Sequence, residues 1–127
     1  MKEVKDKLSQ YNALLPVGTG LTQAEAERRA SKFLEAMYYL TDLKHTFFDD
    51  KIRTLTTQNA TFATELAKAT GKTITENKVT VEASAPYSAA REAFEFAEND
   101  ISYLRACYEI YSNAHIFFRN LAKGENS

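Results

Sequence analysis

The residues with most chemical potential are the two histidines, His45 and His115, the single cysteine, Cys107, and the acids around His45. A metal site needs three or four convergent ligands, and Asp42, His45, Asp49 and Asp50 are the group near enough in sequence to contribute some. Taken alone, His45 reads as a surface histidine beside Lys44 and Asp49. His115 falls on an apolar stripe, where a hydrogen-bonded core or interface histidine is expected. Cys107 has no assignable base and reads as a small buried apolar residue rather than a nucleophile. Gly71-Lys72-Thr73 matches the end of a phosphate-binding loop, but the upstream glycine is missing and a helix stands where a strand should precede it. No constellation supports an enzyme, and the sequence calls for no cofactor and no metal.

Basic side chains offer a second kind of chemistry. Lys51 and Arg53, with Lys44, Lys68 and Lys72, are the leading candidates for contacts to nucleic-acid phosphates; Lys78, Arg105, Arg119 and Lys123 complete the set. Phe47 and Phe48 lie near enough to stack on exposed bases, although core packing is the plainer reading for Phe48. Two or three phosphate contacts bind weakly, whereas an oligomer presenting the same patch several times gains by avidity. A formal net charge of −1 gives the chain no global attraction to nucleic acid or membrane. Charge is distributed unevenly: residues 91–100 carry a balance of −3, and residues 105–123 a balance of +2. Such asymmetry can orient subunits or a partner.

These side chains must be positioned by helices. The 127 residues include only two prolines and four glycines, the composition of one ordered domain with a modest core. No disulfide within the chain is possible with one cysteine, the N-terminal run is too charged to lead into a signal peptide, and no apolar stretch approaches a membrane span. The cytoplasm is the expected compartment.

Val4, Leu8, Tyr11 and Leu15 predict a short amphipathic helix over 2–15, broken by Pro16 and the glycines after it. Thr22 and Glu25 read as a capping box, with Leu21 as its staple residue, opening a helix over 22–69 that Gly71 ends. Such a helix would be about 70 Å long. Its stripe is Leu34, Met37, Thr41, Lys44, Phe48, Ile52, Leu55, Asn59, Phe62, Leu66 and Ala69; the polar members set register or mark a break. The run Thr54, Thr56, Thr57, Thr61 and Thr64 weakens the distal half. Ile74, Val79 and Val81 make 72–85 an extended arm or irregular crossover. A final helix, 86–122, is capped by Ser84 with Pro86 near its start. It carries the strongest periodicity: Tyr87, Ala90, Phe94, Ala97, Ile101, Leu104, Tyr108, Tyr111, His115, Phe118 and Ala122. Phe96, Tyr103, Ile110, Phe117 and Leu121 add a second apolar face. Gly124 and the tail Glu125-Asn126-Ser127 close the chain. The expected fold is all-α: one helical domain over 1–127, a long antiparallel hairpin with a short N-terminal helix. Two helices this long in a small chain point to an oligomeric bundle, with Phe94, Ile101, Leu104, Tyr108, Tyr111, His115 and Phe118 as interface candidates.

Over residues 22–123 the pattern resembles the UvsY-like recombination mediators of tailed phages. The likeness lies in the long helix, short crossover and second long helix, in the segment from Ala106 to Asn120, and in the Lys51-Ile52-Arg53 pair. It implies a ring-like homo-oligomer that binds single-stranded DNA through Lys51 and Arg53, contacts a RecA-type recombinase and a single-strand-binding protein, and works in the host cytoplasm. The competing expectation is a homo-oligomeric phage structural or interaction protein, such as an assembly factor, chaperone or host-protein inhibitor, with no DNA binding. A third, an export substrate built as a helical hairpin, lacks the tryptophan-glycine turn such proteins carry.

Overall fold

A computed structural model describes residues 1–124; the tail Glu125-Asn126-Ser127 lies outside the described residues. The fold is all-α, with four helices and no strand among the described residues: α1 (Lys2–Asn12), α2 (Gln23–Lys68), α3 (Ile74–Glu82) and α4 (Ala85–Ala122). They form two compact units, one of Met1–Lys44 with the chain from Tyr103 onward, the other of His45–Ser102. Both long helices run through both units.

In the first unit α1 buries Val4, Leu8 and Tyr11, the expected face. It ends at Asn12 rather than 15, because a residue ahead of proline avoids helical geometry. Residues 13–15 close with Leu14 N–H donating to Tyr11 O (2.9 Å) and Leu15 N–H to Asn12 O (3.2 Å). The core is a column of rings. Phe33 stacks on Phe118 (centroids 5.7 Å) and on Tyr111 (5.8 Å), and Tyr11 tilts against Tyr111 (6.0 Å). Ala26, Ala30 and Ala36 are buried beside Phe33 on α2, small enough for helices to approach. Ala30 meets His115 and, further along α2, Phe33 meets Tyr111, so α2 and α4 are antiparallel here.

The start of α2 differs in detail from a full capping box. Thr22 Oγ1 accepts from Glu25 N–H (3.0 Å), but the Glu25 carboxylate turns to Arg28 (2.8 Å) and Arg29 (3.1 Å) instead of reaching back. Those hydrogen bonds, from Arg28 first and then Arg29, pull the Glu25 pKa down to about 2.

The second unit pairs the distal half of α2 with the start of α4. Gln58 Nε2 donates to Tyr87 Oη (3.2 Å), Phe62 meets Tyr87 edge-on (5.6 Å), and Lys51 approaches Glu98 (4.0 Å). These pairings are again antiparallel. Buried here are Thr54, Val81, Ala97 and Ile101. Thr54 hides its hydroxyl by donating to the carbonyls of Asp50 and Lys51 (2.9 Å each).

Two expectations need correction. The crossover is not extended: Ile74–Glu82 is helical. Thr73 Oγ1 accepts from Glu76 N–H (3.0 Å) while Glu76 Oε2 accepts from Lys72 N–H (2.8 Å), so a cap at the start outweighs β-branched propensity. Gly71 adopts no left-handed backbone; its lack of a side chain matters because a Cβ there would stand 2.5 Å from Asn77 Oδ1.

The stripe on α2 is also displaced. Ala26, Ala30, Phe33, Ala36, Leu40 and Thr54 face inward, whereas Ile52, Leu55, Asn59 and Leu66 are exposed. Neighbouring positions on a helix differ by about 100°, so a line of large residues one step away from the small ones marks the flank rather than the seam. On α4 the expected seam is buried at Ala97, Ile101, Leu104, Tyr111 and Phe118; Cys107 and Ala114 take the inward places given to Tyr108 and His115.

Candidate interaction surface

Lys44 is exposed at the edge of the first unit, and Lys51, Arg53, Lys68 and Lys72 belong to the second. Lys51 stands 4.0 Å from Glu98, Arg53 is ion-paired with Asp50, and Lys68 lies 3.4 Å from Glu65. Each pair is worth little energetically at this exposure, but each sets an acid beside a cation that a phosphate would have to approach. Lys72 is exposed at the turn before α3.

Of the interface candidates, Ile101, Leu104, Tyr111 and Phe118 are buried by the chain's own helices, Phe94 and His115 are half-buried, and Tyr108 is exposed. His115 donates from Nδ1 to the Ala30 carbonyl (2.7 Å). That bond satisfies the ring and joins α4 to α2. His45 is exposed. Among the described residues no three or more His, Cys, Asp or Glu are grouped to hold a metal ion. No helix is long and apolar enough to cross a membrane.

Burial and neighbouring groups raise three tyrosines in the first unit above the usual phenol range. Burial acts first on Tyr11, which also meets Glu35 (3.3 Å), and on Tyr103 and Tyr111 near Cys107. The Tyr111 hydroxyl donates to Asn12 Oδ1 (2.6 Å), and Lys5 sits 5.1 Å over the Tyr103 ring. Burial thus favours the protonated phenol at each of them. A shallow hollow of about 380 Å³ is lined by Ser88, Arg91, Glu92, Glu95, Phe96 and Asn99, all from α4, so no second element closes it.

What the surface does offer is apolar. Ile52 (60% exposed), Leu55 and Leu66 on α2, Ile74 and Val79 on α3, and Phe96 (60%), Tyr108, Ile110, Ile116 and Phe117 on α4 all face outward. The expected second face of α4 is thus open at Phe96, Ile110 and Phe117; Tyr103 is half-buried beneath Lys5, and Leu121 is half-buried. Within α2 the run Thr54–Thr64 contains no charged residue, although a stretch of that length at the chain's 26% charge would hold about three. Leu55, Thr56, Thr57, Asn59, Ala60, Ala63 and Thr64 in that run are exposed. Depletion of charge with retained apolar side chains characterises the centre of a protein–protein contact. This signal was present in the sequence and easily missed, because it is an absence. Compared with protein-family models, with characterised proteins and with solved structures, the chain matches none.

Proposed function

We propose that the chain is a non-enzymatic assembly module of the cytoplasm that works by self-association. The observation that carries this reading is the set of large apolar side chains left outside on helices whose inner faces are already packed. Scattered exposed residues need no explanation, but rows of them at helical spacing do. Light scattering of the native protein tests it: a mass that is a multiple of 14.3 kDa is expected.

A second reading is a single-stranded DNA-binding recombination mediator, partnered by a RecA-type recombinase and a single-strand-binding protein. The order of long helix, short connection and long helix over α2, α3 and α4 favours it, because that is the order the UvsY-like resemblance implies. The ion pairs at Lys51, Arg53 and Lys68 weigh against it. Retardation of a fluorescent oligonucleotide by the native protein tests this reading.

A further inference from the structure

We infer that α1 is a strap over the first unit, and that the positive charges of Lys5 and Lys7 are the clasps that keep its amino-terminal half closed. Removing those two charges opens α1 while α2 and α4 stay folded.

The strap lies between the two long helices. Lys7 and Tyr11 meet Tyr39 and Glu35 on α2, in antiparallel order. Lys5 and Asn12 meet Tyr103 and Tyr111 on α4, in parallel order. Successive positions on a helix turn by about 100°, so Lys5 and Lys7 flank the buried row of Val4, Leu8 and Tyr11 on opposite sides. Each lysine therefore reaches a different long helix.

The two ends of α1 are held by different forces. Near Asn12 the bonds are directional: Tyr111 Oη donates to Asn12 Oδ1 (2.6 Å), and Arg29 Nη1 donates to the carbonyls of Leu14 (3.2 Å) and Pro16 (2.7 Å) just beyond the helix. In the amino-terminal half the contacts around the apolar row are cations over rings. Lys5 Nζ stands 5.1 Å from the Tyr103 centroid, and Lys7 Nζ 5.9 Å from the centroids of both Tyr11 and Tyr39. Both lysines are exposed. Among the described residues neither forms an ion pair.

Local helix physics does not account for these cations. The amino terminus of a helix carries partial positive charge, which disfavours lysine in the first turn. Lys5 ends that turn and Lys7 opens the next. What they gain comes from the rings across the groove, and at an exposed site that gain is modest. Modest clasps leave the strap poised. Once lifted, α1 does not persist as a helix, because eleven residues are too few to hold one in water. Lifting it also bares Tyr111 and the ring column behind it. The input to the device is the charge on two exposed amines.

The test is amide hydrogen exchange on three proteins: the native chain, Lys5→Gln with Lys7→Gln, and Lys5→Arg with Lys7→Arg. Glutamine matches lysine in helix propensity, and arginine keeps both the charge and the ring contact. In the glutamine protein the amides of residues 5–11 are expected to exchange about 5–30-fold faster than in the native chain. Those of α2 and α4 are expected to be unchanged, and the arginine protein to stay within about twofold of native. Exchange is read within one chain, so the outcome does not depend on self-association. Unchanged exchange of α1 in the glutamine protein overturns the inference, and so does slower exchange, which the helix dipole alone predicts. An arginine protein as loose as the glutamine one shows that charge is not the clasp. Exchange that rises equally in α1, α2 and α4 also overturns it, since the whole unit then loosens rather than the strap.

Discussion

The Tyr111 hydroxyl donates to Asn12 Oδ1 at 2.6 Å, joining residues ninety-nine positions apart and fastening α1 to α4. Tyr111 is fully buried, while Asn12 is exposed and can be rehydrated when its partner is removed. Tyr111→Phe keeps the ring column against Phe33 and Tyr11 and loses only the bond. A destabilisation of about 1 kcal/mol is expected by urea titration, with hydrogen exchange faster in α1 than in the second unit.

The same tyrosines set a pH limit. Burial, with Glu35 beside Tyr11 and Cys107 near Tyr103 and Tyr111, raises all three above the ordinary value of 10.0. The folded chain therefore keeps phenolic protons that the unfolded chain sheds first. Stability from this source is complete below pH 10 and is lost as pH rises through the higher folded values. Alkaline titration should show tyrosinate from these residues appearing in step with loss of ellipticity; tyrosinate in an intact helical protein would contradict it.

Arg29 holds the connection between α1 and α2. Its Nη1 donates to the carbonyls of Pro16 (2.7 Å) and Leu14 (3.2 Å), its Nε to Glu25 (3.1 Å), and its guanidinium lies 5.5 Å from the Phe118 ring centroid. Arg29→Ala should cost about 1–3 kcal/mol and release α1, read as rapid exchange of its amides. Arg29→Lys should recover only part, because an ammonium lacks the planar fork that serves three acceptors and a ring at once.

Much of this was legible from residue order. The helix class, the inner seam of α4 and the α1 face follow from large apolar residues at helical spacing, and Ser84 and Thr22 do cap. The α2 seam was not legible, because Ala26, Ala30, Ala36 and Thr54 carry little apolar weight and Leu34, Met37 and Leu55, one step from Phe33, Ala36 and Thr54, continue a stripe of their own. The α3 cap was written in Thr73 and Glu76 but masked by β-branched neighbours. The ion pairs of Lys51 and Arg53 differ in kind: Asp50 is a helical neighbour of Arg53, whereas Glu98 meets Lys51 only through antiparallel pairing.

That pairing bears on DNA. With Lys51, Arg53 and Lys68 engaged by acids, the native protein is expected to leave a single-stranded oligonucleotide unretarded at about 50 mM salt. Retardation that Lys51→Ala with Arg53→Ala abolishes, and that Glu98→Gln strengthens, would establish the mediator reading instead.

The central claim is that the exposed apolar rows make this chain assemble with itself. Multi-angle light scattering on the eluting native protein measures that directly. A mass at a whole multiple of 14.3 kDa, falling toward the single-chain value with Leu55→Glu and Leu66→Glu, is the predicted result. A monomeric mass at every accessible concentration would contradict it.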